Sequence, residues 1–243
     1  DTTHYILSSI NKFNNKIKFF FAGYSEMYVN VTSIPQNEET ILNPVSAYGI
    51  SKVTAYLLVK SYRSQFNFLG STGILFNHES PRRDLYFVTR KISNGVARVK
   101  KGLQKKISLG NVNSSRDWGH AKDYTEMQWK ILQQTKPDDY VIATGKAISV
   151  REFVNECCKY LNLKIKWVGQ GNNEKAYLIK GKKKELMSKI DKKYYRPLEI
   201  DYLKGDPTRA FKKLNYKLKN SLKDLVKNMM DSDALMMLEG VLN

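Results

Sequence analysis

"KIKFFFAGYSEMY" runs from Lys16 to Tyr28, and "SAYGISKV" runs from Ser46 to Val53. The first carries an apolar block, Phe19 to Ala22, of the length of a buried strand. The second opens a helical stretch, "AYGISKVTAYLLVKSYRSQF", with Ser46 placed to cap it. A buried strand followed by a helix is the unit from which helix-covered parallel sheets are made. In such sheets ligands bind beyond the carboxyl ends of the strands, where Glu26 stands. Tyr48 and Lys52 are four residues apart and so share a helix face. A free tyrosine, with a pKa of about 10, is a poor base at neutral pH. A nearby ammonium favours the phenolate. The pair suits proton transfer on a hydroxyl, and Glu26 can take a proton next to a carbonyl. The tyrosine–lysine spacing alone is common on helix faces; the strand before it gives it weight.

Outward from this unit the alternation continues. "FLGSTGILFN" reads as a second strand and "NHESPRRD" as a polar loop. Residues 87 to 101 read as helix, "KISLG" as a short strand, "HAKDYTEMQWKILQQ" as helix and "DDYVIATG" as strand. Beyond residue 145 the units are shorter and mixed. Ser149 opens a capping box before "VREFVNECCKYL", and "KIKWVG" is a strand. The lysine-rich stretch after it reads as loop with a short strand near "ELMSKID". Asp206 caps "PTRAFKKL", and a last amphipathic helix begins near Ser221. The fold class is α/β: a parallel sheet covered by helices plus a smaller mixed α/β domain. The glycine-rich turn that opens a dinucleotide fold is not found; "GQGNN", 169 to 173, follows a late strand.

Composition narrows the function classes. Apolar residues make up 42% of the 243 residues, with charges interspersed, as in a globular chain. The net charge is +18, but the lysines are spread along the whole sequence. Zinc-finger spacing and aromatic RNA-binding signatures are lacking, so the lysines read as solvated surface, not as a nucleic-acid site. No apolar run approaches the roughly 20 residues of a membrane span. Cys157 and Cys158 are adjacent and read as buried thiols of a reducing cytoplasm. His4, His78 and His120 are widely spaced and form no metal pattern.

The ordered motifs "SAYGISK", "GILFNHESPRR", "FVTRKIS", "SLGN", "RDWGHAKDY", "DDYVIATG", "SVREFV" and "KYYRPLEIDYLKGD" together resemble GDP-mannose 4,6-dehydratase, an extended short-chain dehydrogenase family. The resemblance runs over nearly the whole chain. It implies NADP as cofactor and GDP-mannose as substrate. NADP would take hydride from the fourth carbon while Tyr48, helped by Lys52, takes the hydroxyl proton. Glu26 would then remove the proton at the fifth carbon, the sixth-carbon hydroxyl would leave as water, and hydride would return. The product would be GDP-4-keto-6-deoxymannose, a precursor of GDP-fucose and related deoxysugars. The resemblance also implies that His78 and Arg83, with Tyr48 and Lys52, contact NADP. Asn77 is expected near the sugar or its phosphates, and Val88, Lys91, Arg116, Arg196 and Glu199 on the GDP. Arginine forks suit pyrophosphate, and a carboxylate can accept from ribose hydroxyls. Residues 1–82 and 113–145 would form the NADP domain, and 83–112 and 146–243 the sugar-nucleotide domain. A dimer or tetramer of identical chains in the cytoplasm is the expected setting.

Two departures stand out. The family reads Ser-Thr-Ser-Glu-Leu-Tyr-Gly where this chain has "GYSEMYV", so Tyr24 takes the position of the catalytic threonine. Ser25 is adjacent, but on a strand it would face the other way. Val29 and Asp84 replace glycines, which matters if the backbone there needs positive φ. The family's opening strands and glycine-rich turn have no counterpart, so only the C-terminal strands of the Rossmann sheet are expected. This chain by itself is expected to bind NADP poorly and to be impaired in turnover. A related nucleotide-sugar dehydratase or epimerase, and a non-catalytic remnant that only binds sugar nucleotide, are the competing expectations.

Overall fold

The structure is a computed structural model that describes residues 2–28, 33–195 and 201–238. Val29, Arg196 and Glu199 lie outside these residues. In chain order the elements begin with α1 (Thr2–Phe13), β1 (Phe19–Tyr24), α2 (Ala47–Phe66), β2 (Gly70–Leu75) and β3 (Asn77–Glu79). Next come α3 (Val88–Lys100), β4 (Ile107–Leu109), β5 (Ser115–His120), α4 (Ala121–Gln133), β6 (Asp139–Ile142) and β7 (Ala147–Ser149). The chain continues with α5 (Val150–Tyr160), β8 (Ile165–Val168), β9 (Lys175–Lys180), β10 (Lys183–Ile190), α6 (Thr208–Lys213) and α7 (Leu222–Leu238). They form two compact units. The first comprises 1–78, 117–147 and 203–219; the second comprises 79–116, 148–202 and 220–243.

The first unit is built on a parallel sheet of order β1-β2-β6. Phe19 pairs with Gly70 and Tyr24 with Leu75; Thr72 pairs with Asp139 and Leu75 with Ile142. Every residue of the central strand β2 is buried, as expected of a parallel strand covered on both faces. On one face Leu75, Tyr124, Met127, Ile131, Tyr140 and Ile142 pack with Ala210, Leu214 and Tyr216. On the other, α2 lies against β1 and β2. The free edge of β6 is covered: Glu38 accepts the Val141 N–H at 2.7 Å. The same loop is stitched down where Gln36 N donates to Lys204 O and Asp206 N donates to Gln36 O.

Helix α2 is fixed at both ends. Ser46 caps its start, accepting from Gly49 N at 2.9 Å, as the sequence suggests. Near its C-terminus Arg63 donates a two-pronged pair to Asp139 at 3.0 and 2.7 Å, and Tyr56 donates to the same carboxylate at 3.2 Å. Asp139 is buried on β6, so this ion pair sets the angle of the helix against the sheet.

The second unit pairs a mixed sheet of order β4-β10-β9-β8 with α3, α5 and α7, which pack on one another. β4 runs parallel to β10, and the other pairs are antiparallel. The lysine-rich stretch is therefore a hairpin, β9 and β10, and not loop with one short strand. Its period is two: Ala176 and Leu178 are buried, alternating with the less buried Lys175, Tyr177 and Ile179. The lysine count hid that alternation. Ser149 and Glu152 form the expected capping box of α5, and Ser221 with Asp224 forms a similar one on α7. The Asp206 carboxylate accepts from Thr208 N at 3.0 Å, at the start of α6. Cys157 and Cys158 are free and buried. Among the described residues, no helix is long and apolar enough to cross a membrane.

Candidate active site

In the first unit, β1 ends at Tyr24 and turns directly into a 3-10 turn, Ser25–Tyr28. Ser25 is thus not a strand residue, and the alternation of strand faces does not govern it. It is fully buried, its hydroxyl without a hydrogen-bond partner among the described residues. Glu26 stands on the same turn. The start of α2 is pressed against it: a Cβ on Gly49 would lie 2.9 Å from Glu26 O and 3.1 Å from Pro44 Cβ. Only a residue without a side chain permits that approach. The Glu26 carboxylate accepts from Ser46 Oγ at 3.3 Å, two residues before Tyr48.

Tyr48 and Lys52 share one side of the first turns of α2, as their spacing predicts, with Lys52 half-buried. Tyr48 is 51% exposed. Lys52 Nζ lies 5.5 Å from the Tyr48 ring centroid and 5.3 Å from that of Phe21, and it donates to Ala22 O at 3.0 Å. Burial lowers the pKa of this ammonium below the ordinary lysine value. Tyr24 meets Tyr48 edge to face, with centroids 5.7 Å apart. The Tyr24 hydroxyl accepts from Asn77 Nδ2 at 3.0 Å. The phenol and the ammonium thus lie together on the first turns of α2, and the carboxyl group of the turn after β1 reaches the residue that caps this helix; Tyr24 packs on the phenol.

His78 follows Asn77. Its Nδ1 lies 2.9 Å from Phe76 O, an atom that can only accept, so Nδ1 carries the proton. The imidazole stacks on Tyr124 with centroids 4.9 Å apart. Tyr124 is fully buried, and a Cβ at residue 119 would lie 2.2 Å from its ring. Gly119 in "RDWGH" thereby makes room for the platform beneath His78. In the same motif Asp117 is buried and accepts from Thr144 N, Thr144 Oγ1 and Gly145 N at 2.6–2.9 Å. Burial raises its pKa in spite of these bonds.

In the second unit, Glu79 is buried and organises the "NHESPRRD" loop. It accepts from Thr89 Oγ1 at 2.6 Å and pairs with Arg83 Nε at 3.3 Å. The Arg83 guanidinium also stacks on Phe87, 3.5 Å from its centroid. Asp84 occupies ordinary backbone: the non-glycine residues with positive φ among those described are Asn67, Asn162 and Asn215. It serves the turn instead, accepting from Tyr86 N at 2.9 Å. Val88 opens α3. Lys91 Nζ sits 3.2 Å over the Tyr194 ring. Burial lowers the pKa of Lys91, and bonds from Lys91 and Lys193 lower that of Tyr194. Arg116 donates to Ser115 O at 2.9 Å.

Sequence reasoning passed over Arg90, which lies between Val88 and Lys91. It is buried, donates to Pro81 O at 3.0 Å, and pairs with the buried Asp233 on α7. It fastens the loop that bears Arg83. No local signal could reveal this, since the two partners are 143 positions apart. Among the described residues, no three histidine, cysteine or acidic side chains gather as a metal site.

The sequence matches the family described as GDP-mannose 4,6 dehydratase over residues 2–229. It is 48% identical over 218 residues to the GDP-mannose 4,6 dehydratase of Dictyostelium discoideum, covering 90% of this chain and 61% of that protein. To that of Homo sapiens it is 46% identical over 223 residues, covering 92% and 59%. The chain thus spans about 60% of the length of these curated relatives. The fold is similar to that of RMD from Pseudomonas aeruginosa, solved with NADPH: TM-score 0.78, 18% identity, 96% of this chain and 72% of that one. It is also similar to that of dTDP-glucose 4,6-dehydratase from Bacillus anthracis, solved with NAD: TM-score 0.75, 16% identity, 99% and 68%.

Proposed function

This chain belongs to the GDP-mannose 4,6-dehydratase family, and from that premise we propose that it carries the acid–base and sugar-nucleotide machinery for converting GDP-mannose to GDP-4-keto-6-deoxymannose. The observation that supports the reading is Lys52 beside Tyr48 on the first turns of α2, with Glu26 bonded to the Ser46 cap of that helix. NADP is the proposed cofactor. The donor set fits its nicotinamide ribose: a partly desolvated ammonium beside a phenol on one helix face. When bound, the nicotinamide takes and returns the hydride.

The chain's own residues do the rest. Tyr48 takes the proton of the sugar's fourth hydroxyl, and Lys52 beside it favours the phenolate. Glu26 takes the proton next to the new carbonyl, and that proton leaves with the sixth-carbon hydroxyl as water; as hydride returns to the sixth carbon the fifth carbon regains one proton, which balances the one that Tyr48 took. His78, fixed in one tautomer, and Arg83 are assigned to NADP. Asn77 is assigned to the sugar or its phosphates. Val88, Lys91 and Arg116 are assigned to GDP, as are Arg196 and Glu199 by their sequence motif. On this reading the first unit performs the chemistry and the second holds the sugar nucleotide. The setting is a cytoplasmic homodimer or homotetramer that feeds GDP-fucose and related deoxysugars.

A second reading, sugar-nucleotide binding without turnover, is favoured by Tyr24. Its ring fills space beside Tyr48, and its hydroxyl engages Asn77, where the family has a threonine. Turnover of GDP-mannose with NADP by the natural chain and by Tyr24→Thr separates the two. The threonine variant is expected to form the keto-sugar at least about tenfold faster, a gain of about 1.4 kcal/mol at the barrier. Release of keto-sugar by neither protein defeats the catalytic reading. Faster turnover of UDP-glucose than of GDP-mannose moves the substrate to another nucleotide sugar.

A further inference from the structure

We propose that Ser46 is the positioning residue for Glu26, fastening the base to the helix turn that bears Tyr48; the catalytic part of this rests on the function proposed above. The Ser46 hydroxyl accepts from Gly49 N at 2.9 Å and donates to Glu26 Oε2 at 3.3 Å. A hydroxyl has one proton and two lone pairs, so it serves both bonds at once. The two bonds make different demands. Capping a helix needs only an acceptor, and serine, asparagine and aspartate cap about equally well. Holding a carboxylate needs a donor, which an ionised aspartate lacks.

The surroundings leave the contact little slack. Gly49 brings the first turn of α2 against the Glu26 backbone. Asn43 N donates to Met27 O at 2.9 Å, tying the approach to α2 onto the turn that carries Glu26. At the far end the Arg63–Asp139 pair prevents the helix from sliding along the sheet. A glutamate has two side-chain torsions before its head group, and losing their freedom at the barrier would slow proton removal. Ser46 removes that freedom beforehand, two residues from the phenol.

Asparagine at position 46 can accept from Gly49 and donate to Glu26. Aspartate can cap but sets a like charge against Glu26. The test is thermal unfolding at neutral pH of S46N and S46D, each with Glu26 and with E26Q. S46D is expected to melt about 2–4 °C below S46N when Glu26 is present, and level with it in the E26Q background. A gap of the same size in both backgrounds overturns the assignment, whether or not the protein turns over. In GDP-mannose turnover, S46A and S46D are expected to lose about tenfold in kcat with little change in KM, and S46N to recover it. Equal kcat for S46D and S46N overturns the positioning role. Coupling in the melts with no turnover by any of the proteins, the natural chain included, overturns the proposed reaction while leaving the contact in place.

Discussion

A single missing side chain sets how closely the base and the phenol-bearing helix approach. At Gly49 an added Cβ would lie 2.9 Å from a backbone oxygen, and backbone does not step aside as a flexible side chain does. Gly49→Ala raises helix propensity by about 1 kcal/mol, yet it is expected to destabilise the protein by about 1–3 kcal/mol through overpacking. Urea unfolding checks the sign: a gain in stability would mean that the helix start can retreat from Glu26. The sequence showed that Tyr48 and Lys52 share a face, because that follows from helical spacing alone. It could not show where the Tyr24 ring goes. The strand end places that ring against Tyr48 and Asn77, a consequence of the β1–β2 register, which pairs Tyr24 with Leu75.

Helix α2 is the element on which the candidate site depends, and a carboxylate from a distant strand holds it. Asp139 accepts three hydrogen bonds, two from Arg63 and one from Tyr56. Asp139→Ala leaves the guanidinium without its counter-charge, with Gly70 O still accepting from it, removes the phenol's acceptor, and is expected to cost about 3 kcal/mol. Chemical denaturation measures it. Arg63→Met with Asp139→Leu, which removes both charges, is expected to cost much less than the single change. At the start of α5 the capping box predicts a smaller loss, about 1 kcal/mol for Ser149→Ala. The two devices differ in legibility. The capping box is four residues long, Ser149 to Glu152, and stands in the sequence. The Arg63–Asp139 pair spans 76 positions and leaves no local mark.

The chain passes between its two units at residues 78/79, 116/117, 147/148, 202/203 and 219/220, so neither unit is a contiguous stretch of sequence. Residues 203–219 join the first unit because α6 and its flanks bury Ala210, Leu214 and Tyr216 against Tyr140 and Ile142. Burial raises the phenol pKa values of Tyr28, Tyr56, Tyr140 and Tyr216 above 10, that of Tyr140 to about 12. The unfolded chain releases those protons first as pH climbs. Their contribution is therefore whole below pH 10 and is lost as pH rises above it. Lys52, Lys91 and Tyr194 work the other way, since their pKa values are lowered in the folded chain and loss of their protons favours it. With four phenols against these three groups, the unfolding midpoint is expected to fall above pH 10. The fall should be shallower in Tyr216→Phe, measured by urea titration across the alkaline range.

The sequence by itself determined the order of the helices and of the main strands β1, β2 and β6, the caps at Ser46 and Ser149, the pairing of Tyr48 with Lys52 on one helix face, and the family resemblance. All of these are written in spacings of a few residues, where chain geometry alone fixes who meets whom. Only the tertiary structure decided that the lysine-rich stretch is a hairpin, that Ser46 reaches Glu26, that Tyr24 leans on Tyr48, and that Arg90 and Arg63 find Asp233 and Asp139. Those contacts join residues brought together by packing, and no local periodicity encodes them.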